Sequence, residues 1–145
     1  MQNSLTTKTP RHQEFTHHIR DLGTLDALGK EIVHCAFTIH KEMGPGLLES
    51  IYEECFAIAL SNRNISFETQ KSIPLSFEGS ALQNKYRLDL LVEDSIIIEL
   101  KCVERLIPLH QAQILSYLKL TNKKLGYLIN FNVPLIKDGI KRIAN

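Results

Sequence analysis

Two neighbouring segments, residues 86–92 and 96–103, have apolar side chains on both faces of a predicted β-strand, and this pattern limits the fold more than any other. The apolar residues at alternate positions are Leu88, Leu90 and Val92 in the first segment and Ile96, Ile98, Leu100 and Cys102 in the second. Further apolar residues occupy the opposite face of each segment. Strands that are apolar on both faces belong to a sheet covered on both sides. We therefore expect an α/β fold in which helices flank a central sheet.

The remaining apolar patterns predict the elements around these two strands. Gly44-Pro45-Gly46 ends one helical pattern before the next begins, and Pro108 suits the first residue of a third helix. Pro74 restricts the segment around it to the edge of a sheet. The order is helix, helix, three strands or more, helix, strand, helix. The predicted helices cover residues 24–43, 49–63, 108–120 and 137–143, and the predicted strands cover 65–77, 86–92, 96–103 and 126–131.

The chain has 145 residues, the size of one ordinary domain. Residues 1–23 are polar and lack a sustained period, so we interpret them as a flexible N-terminal arm with a short helix over 12–21. Residues 24–145 are predicted to form a single domain. Three cysteines without a CxxC pair argue against a zinc site and a disulfide framework. No apolar stretch predicts a membrane span and no leader is recognisable, so we expect a cytoplasmic protein without a membrane partner.

The charge of the chain is almost balanced, with 17 basic and 16 acidic residues. Composition alone therefore does not predict a nucleic-acid-binding protein. Basic residues are concentrated from Lys119 to the end of the chain, where Asp138 is the one acid. Such a patch suits contact with phosphates, and it equally suits an ordinary solvated surface. Both interpretations stay open.

Two charged residues interrupt the second apolar strand. Glu99 and Lys101 are two residues apart, so their side chains project from the same face. Charges among apolar neighbours are costly unless something pairs with them. A simple ion pair between Glu99 and Lys101 is one explanation, but it leaves Asp89 on the preceding strand without a role.

The length of the turn between the two strands decides where Asp89 lies. If residues 93–95 form a three-residue turn, Asp89 faces Glu99 with Cβ atoms roughly 4.5–5.5 Å apart. A turn of two or four residues would place the acids on opposite faces. Two carboxylates so close repel unless one is protonated or both share a cation. Oxygen ligands of this kind suit Mg²⁺ or Mn²⁺, and together with Lys101 they suit hydrolysis of a phosphodiester.

Several motifs in this chain resemble those of a known family. The run Gly46-Leu47-Leu48-Glu49-Ser50-Ile51-Tyr52 matches the GxxExxY motif of a family of small bacterial proteins, and Arg87-Leu88-Asp89 with Glu99-Leu100-Lys101 resembles that family's nuclease-like core. The resemblance covers about residues 25–143. This family is grouped with the PD-(D/E)xK superfamily, which implies a restriction-endonuclease-like core of order α-β-β-β-α-β and a mixed central sheet. Leu88 stands where the motif's name has proline.

The resemblance also implies roles for individual residues. Asp89 and Glu99 would be metal ligands, and Lys101 would be the catalytic lysine. Glu49 would be a further acid and metal ligand contributed by the helix before the sheet. A competing explanation is that Glu49 only favours the start of its helix through the helix dipole.

The resemblance implies a substrate side of the site as well. Gln113 and Tyr117 are spaced i and i+4 on one helix face and resemble the Q-xxx-Y element of the recombination-exonuclease branch. The leading hypothesis is a Mg²⁺- or Mn²⁺-dependent nuclease acting on DNA or RNA. The alternative is a catalytically silent module of the same fold that binds nucleic acid or a protein. The balanced charge favours a homodimer or a protein partner that supplies grip on the substrate.

Overall fold

The computed structural model describes residues 22–145, which form three α-helices, one short 3₁₀ helix and seven strands. The predicted arm, with its short helix over 12–21, lies outside the described residues except for its last two positions, which begin the first helix. The helices are α1 (Leu22–Met43), α2 (Glu49–Asn62), α3 (Pro108–Thr121) and the 3₁₀ helix Ile136–Gly139, and the strands are β1 (Phe67–Ile73), β2 (Ser76–Phe77), β3 (Ser80–Ala81), β4 (Tyr86–Val92), β5 (Ile96–Lys101), β6 (Leu125–Asn130) and β7 (Ile140–Ala144).

Five strands form one mixed sheet in the order β1-β4-β5-β6-β7. Strands β5 and β6 run parallel, and the other neighbours run antiparallel. Helices α1 and α2 pack on one face over residues such as Leu90 and Ile98, and α3 covers the other face over Ile97 and Leu128. The prediction of an α/β fold with a mixed sheet covered on both sides is confirmed. No helix in this part of the chain is long and apolar enough to cross a membrane.

A three-residue turn joins β4 to β5, as predicted. Glu93 and Asp94 both have a φ of 52°, and the Ser95 backbone N–H donates to the Val92 carbonyl at 2.9 Å. The buried Glu93 carboxylate accepts from the backbone N–H and the hydroxyl of Ser66, at 2.9 and 3.1 Å. The turn is thus fastened to the start of β1. The resulting register pairs Val92 with Ile96 and continues to the pair Leu90 and Ile98.

The end of the chain corrects one prediction. Residues 137–143 were expected to form a helix, but only Ile136–Gly139 is helical, and β7 pairs antiparallel with β6 from Ile140 to Ala144. Strand β6 is buried along its whole length, so its backbone groups on that side need hydrogen-bond partners. The β7 backbone supplies them, which outweighs the local helical preference.

The connection between α1 and α2 turns at glycine. Helix α1 ends at Met43 as predicted, and Gly44 and Gly46 follow with φ angles of +71° and +95°, which favour glycine. The Tyr52 hydroxyl donates to the Gly44 carbonyl at 2.5 Å and accepts from the Leu47 backbone N–H at 3.2 Å. These two bonds attach the turn to the first turns of α2.

Candidate active site

Strands β4 and β5 stop pairing at two acidic residues. Beyond the pair Leu90 and Ile98, the Asp89 backbone N–H donates to Glu99 Oε1 at 3.0 Å, and the Leu100 backbone N–H donates to Asp89 Oδ2 at 2.8 Å. Each carboxylate therefore accepts a hydrogen bond that a backbone carbonyl would accept in a continuous ladder. The two acids are fixed next to each other, on adjacent strands, where the strands separate.

Strand β1 is distorted at the residue across from Asp89. Gln70 has a φ of 52° although the register of β1 and β4 is the same on both sides of it. This left-handed conformation is uncommon for a residue other than glycine. It directs the Gln70 amide to Glu53 of α2, with Nε2 donating to Oε1 at 2.7 Å, and the same nitrogen lies 3.5 Å from Asp89 Oδ1. Gln70 thus connects an acid of α2 with an acid of the sheet.

The alternation of apolar residues along β4 also changes at Asp89, which corrects a second prediction. Leu90 and Val92 belong to the core beneath α1 and α2, as expected for alternate positions. Leu88 was expected on that same face, but it packs in the cluster beneath α3. The interrupted pairing around Asp89 and Gln70 explains how the strand can exchange faces here.

Burial and mutual repulsion make this acid pair hard to ionise. The Glu99 side chain is buried, and burial, with the Asp89 charge as the second cause, raises its pKa to about 8. Burial likewise raises the pKa of Asp89, while the Leu100 backbone N–H and then the charge of Lys101 oppose the rise. The positive charge of the Lys101 ammonium lowers the pKa of both acids, so this side chain is close enough to favour their ionised forms. Lys101 is the last residue of β5 and is half-buried.

Helix α2 brings further acids to this pair. Burial raises the pKa of Glu53, and the charges of Asp89 and Glu49 raise it further. Glu49 is the first residue of α2, is exposed, and also raises the pKa of Glu99, as the smallest of the causes. Among residues 22–145, no three His, Cys, Asp or Glu side chains are gathered closely enough to hold a metal ion. The role of Glu49 as a metal ligand stays a prediction.

Helix α3 faces the acids from the other side of the sheet. Tyr117 is buried, and burial followed by the charge of Glu99 raises its pKa to about 12. Its ring meets the ring of Tyr86 edge-on, with centroids 4.8 Å apart. Gln113 lies one turn earlier on the same face of α3 and is half-buried. The structure therefore brings Tyr117 near the acid pair and places Gln113 next to it along the helix.

Three residues of this region were not singled out from the sequence. Glu53 could have been found, because it lies four residues after Glu49 on the same face of α2. Gln70 gives no local signal, since its role depends on an unusual backbone conformation. Buried Asn130 ends an apolar strand, which is a signal, and its side chain exchanges hydrogen bonds with the backbone of Val103 at 2.9 and 3.0 Å. Asn130 thereby holds the segment that leaves β5 after Lys101.

The chemistry of the donor atoms suits a hard divalent cation. Asp89 and Glu99 offer carboxylate oxygens, the ligand type that Mg²⁺ and Mn²⁺ prefer. Burial is the main cause of both raised pKa values, and the Asp89 charge adds to it at Glu99, so the protein alone stabilises the ionised pair poorly. A bound cation would supply that stabilisation. The residues present therefore fit such a metal.

The sheet, its two helical layers and the acid pair beside a lysine define the class of the restriction-endonuclease-like α/β domain. A family model of the PD-(D/E)XK nuclease superfamily matches residues 26–143, and the chain belongs to this superfamily. Comparison with curated proteins and with solved structures found no match.

Proposed function

We propose that this protein is a metal-dependent nuclease that hydrolyses phosphodiester bonds of DNA or RNA. The observation that supports it most is the acid pair: Asp89 and Glu99 replace backbone acceptors between two separating strands, and both have raised pKa values. Acids in such a state are unfavourable for the apoprotein and favourable for cation binding. We further propose that, within the superfamily, the chain belongs to the GxxExxY group, on the motif of Gly46, Glu49 and Tyr52.

The proposed roles follow from the position of each group. Asp89 and Glu99 would hold Mg²⁺ or Mn²⁺, which would polarise a phosphoryl oxygen and lower the pKa of a water molecule. Lys101 orients the attacking water or neutralises charge that develops on the phosphate. Gln70 restrains Asp89 from the neighbouring strand, so that the carboxylate keeps one orientation. Glu53 accepts a hydrogen bond from the same Gln70 amide and so keeps that amide in position.

Residues on the two helices complete the proposal. Glu49 at the start of α2 would contribute a further acid to the cation, directly or through a water molecule. The Gly44 to Leu47 turn, held by Tyr52, keeps the start of α2 in place for this role. Gln113 and Tyr117 of α3 contact the substrate and cover the site from the opposite side.

A second candidate function is a module that keeps the fold and binds nucleic acid or a protein without turnover. The nearly equal numbers of basic and acidic residues favour it, since a nuclease must hold a polyanion. If the protein is a nuclease, a homodimer or a partner protein could supply the basic surface that its balanced charge lacks.

A metal titration combined with an activity screen separates the two candidates. The parent chain, Asp89→Asn and Lys101→Ala are titrated with Mn²⁺ and Mg²⁺ by calorimetry and incubated with single- and double-stranded DNA and RNA. We expect metal uptake and cleavage by the parent, loss of both in Asp89→Asn, and loss of cleavage alone in Lys101→Ala. Cleavage at parental rate by both variants would mean that the activity does not arise from this site. Normal folding without metal uptake by the parent would favour the silent module.

A further inference from the structure

A short hairpin extends the sheet beyond the ends of β1 and β4. The last pair of these strands is Ile73 with Tyr86, and between them residues 74–85 form β2, a tight turn and β3. The turn residues Glu78 and Gly79 have φ angles of 49° and 81°, as two-residue hairpin turns require. We call residues 74–86 the β2–β3 wing.

The wing projects from the end of the sheet at which β4 and β5 separate and carry the acid pair. Lys101, the last residue of β5, lies at this end, because β5 runs antiparallel to β4. Asp89 lies three residues along β4 from Tyr86, a distance of about 10 Å at the usual rise of a strand. The Tyr86 ring also contacts Tyr117, whose pKa responds to Glu99. The wing is therefore an immediate neighbour of the candidate active site.

The wing exposes aromatic rings. Phe77 is 66% exposed and Tyr86 is 40% exposed, and the partner of Tyr86 on α3 meets it edge-on. Leu82 on the same wing is also exposed. Single exposed apolar residues are ordinary, but two rings and a leucine on one projecting hairpin next to a site are not explained by the packing of this fold.

Positive charge accompanies these rings. From residue 71 to residue 88 the chain has three basic residues, Lys71, Lys85 and Arg87, and one acid, Glu78. Lys71 is paired with Glu68 at 3.1 Å. Lys85 and Arg87 flank Tyr86 in the sequence and form no ion pair with any residue between 22 and 145. Neighbouring side chains of a strand point to opposite faces, so Arg87 projects from the face of β4 opposite Tyr86. Both residues flank the edge of β4 that β5 leaves unpaired before Leu90. A polyanion that follows this edge can therefore meet the ring on one face and the cation on the other.

We infer that the β2–β3 wing and the adjoining start of β4 bind single-stranded nucleic acid, with unpaired bases stacked on Tyr86 and Phe77 and phosphates contacted by Lys85 and Arg87. This inference deepens the proposed nuclease function and rests on it for the identity of the substrate. Bases within a duplex are stacked on their neighbours on both sides, so exposed rings cannot reach their faces without unstacking them. Unpaired bases offer free faces, and aromatic rings beside cations are how proteins hold them.

The first test compares binding of one fluorescein-labelled oligonucleotide as a single strand and as a duplex, by anisotropy. Binding is measured with Ca²⁺, which takes oxygen ligands as Mg²⁺ does, and cleavage is measured separately with Mg²⁺. We expect the single strand to bind more tightly than the duplex. Tyr86→Leu and Phe77→Leu should each weaken single-strand binding about 5- to 150-fold. Tyr86→Phe keeps the ring and should bind like the parent, as should Phe37→Leu, whose ring on α1 is 45% exposed.

A second measurement reports stacking and charge directly. A 2-aminopurine base in the single strand should lose fluorescence on binding to the parent and to Tyr86→Phe, but not to Tyr86→Leu. Lys85→Gln and Arg87→Gln should each reduce the slope of log affinity against log salt by about 0.7, the value for one phosphate contact on a single strand. Lys41→Gln on the exposed surface of α1 is the matched control and should leave the slope unchanged.

The outcomes separate this inference from the nuclease proposal. Equal or tighter binding of the duplex, or parental binding by both Tyr86→Leu and Phe77→Leu, overturns the role of the wing even if the protein cleaves nucleic acid. Binding of single strands that depends on Tyr86, without cleavage under any metal condition, supports the wing and overturns the nuclease proposal. Melting temperatures of all variants identify any loss that comes from unfolding.

Discussion

Replacement of Glu99 by glutamine should stabilise the metal-free protein at neutral pH. The pKa of Glu99 is raised from 4.5 to about 8, so folding disfavours its ionised form. At pH 7, which is about 2.5 pH units above the unfolded pKa of 4.5, the unfolded chain ionises this group and the folded chain mostly does not. At 1.36 kcal/mol per unit, this lowers the free energy of unfolding by about 3 kcal/mol. Glutamine cannot ionise, and its carbonyl can still accept the hydrogen bond of the Asp89 backbone N–H.

The stability difference between the parent and Glu99→Gln should change with pH in one direction. Because the folded pKa of Glu99 is raised, its destabilising contribution is absent below pH 4.5, grows as pH rises, and is complete above about pH 8. Parent and Glu99→Gln should therefore have similar stability near pH 4.5 and diverge towards pH 8. Urea unfolding in EDTA across this range measures the difference. The exposed Glu54→Gln on α2 is the control and should run parallel to the parent.

Metal provides the second half of this test. Added Mn²⁺ should raise the stability of the parent by mass action and leave Glu99→Gln much less affected. A parent whose stability relative to Glu99→Gln stays constant between pH 4.5 and 8 would refute the claim that Glu99 is buried with a raised pKa. A variant that is less stable than the parent at every pH would show that the acid makes a structural contact that glutamine cannot replace.

The other predictions concern single residues around the pair. Lys101→Ala should abolish cleavage while metal affinity and melting temperature stay near parental values, because its proposed role is in the transition state; calorimetry and kinetics together check this. Glu49→Gln should spare stability and weaken metal-dependent turnover if Glu49 reaches the cation, but cost up to about 1 kcal/mol with normal turnover if it only favours the helix start. Gln113→Ala should raise KM for nucleic acid more than it weakens metal uptake, and equal losses of both would contradict its substrate role. Gln70→Gly should keep the protein folded, because glycine adopts the left-handed conformation without steric cost. It should nevertheless lower turnover, because the amide that restrains Asp89 is gone. Unchanged turnover would show that Asp89 needs no restraint.

Much of the fold could be predicted because periodicity and turn chemistry agree along most of the chain. The apolar residues of β4 and β5, the break at Gly44 and the turn at Glu93 are local signals, and the structure confirms the elements they predict. The last strand was missed for a physical reason. Ile136, Ile140 and Ile143 have the spacing of a helix face, and only pairing with β6 decides for a strand.

The candidate site was predictable where it depends on register and not where it depends on distortion. A turn of odd length is enough to bring Asp89 and Glu99 together on adjacent strands. The exchange of faces at Leu88 and the left-handed Gln70 depend on contacts with other elements, which no local pattern reports. Glu53 was predictable only in part. Its position on the helix face of Glu49 follows from the sequence, whereas its contact with Gln70 does not.

The hydrogen bonds of the acid pair have a consequence for how this chain can change over generations. Asp89 and Glu99 accept backbone bonds of the sheet, so a lineage that no longer needs the chemistry still needs an acceptor at both positions. Asparagine and glutamine provide one without charge, whereas alanine or valine would leave a backbone N–H without a partner in a partly buried place. Descendants that have lost catalysis should therefore be recognisable by amides at these two positions, and their structures should differ little from that of the ancestor.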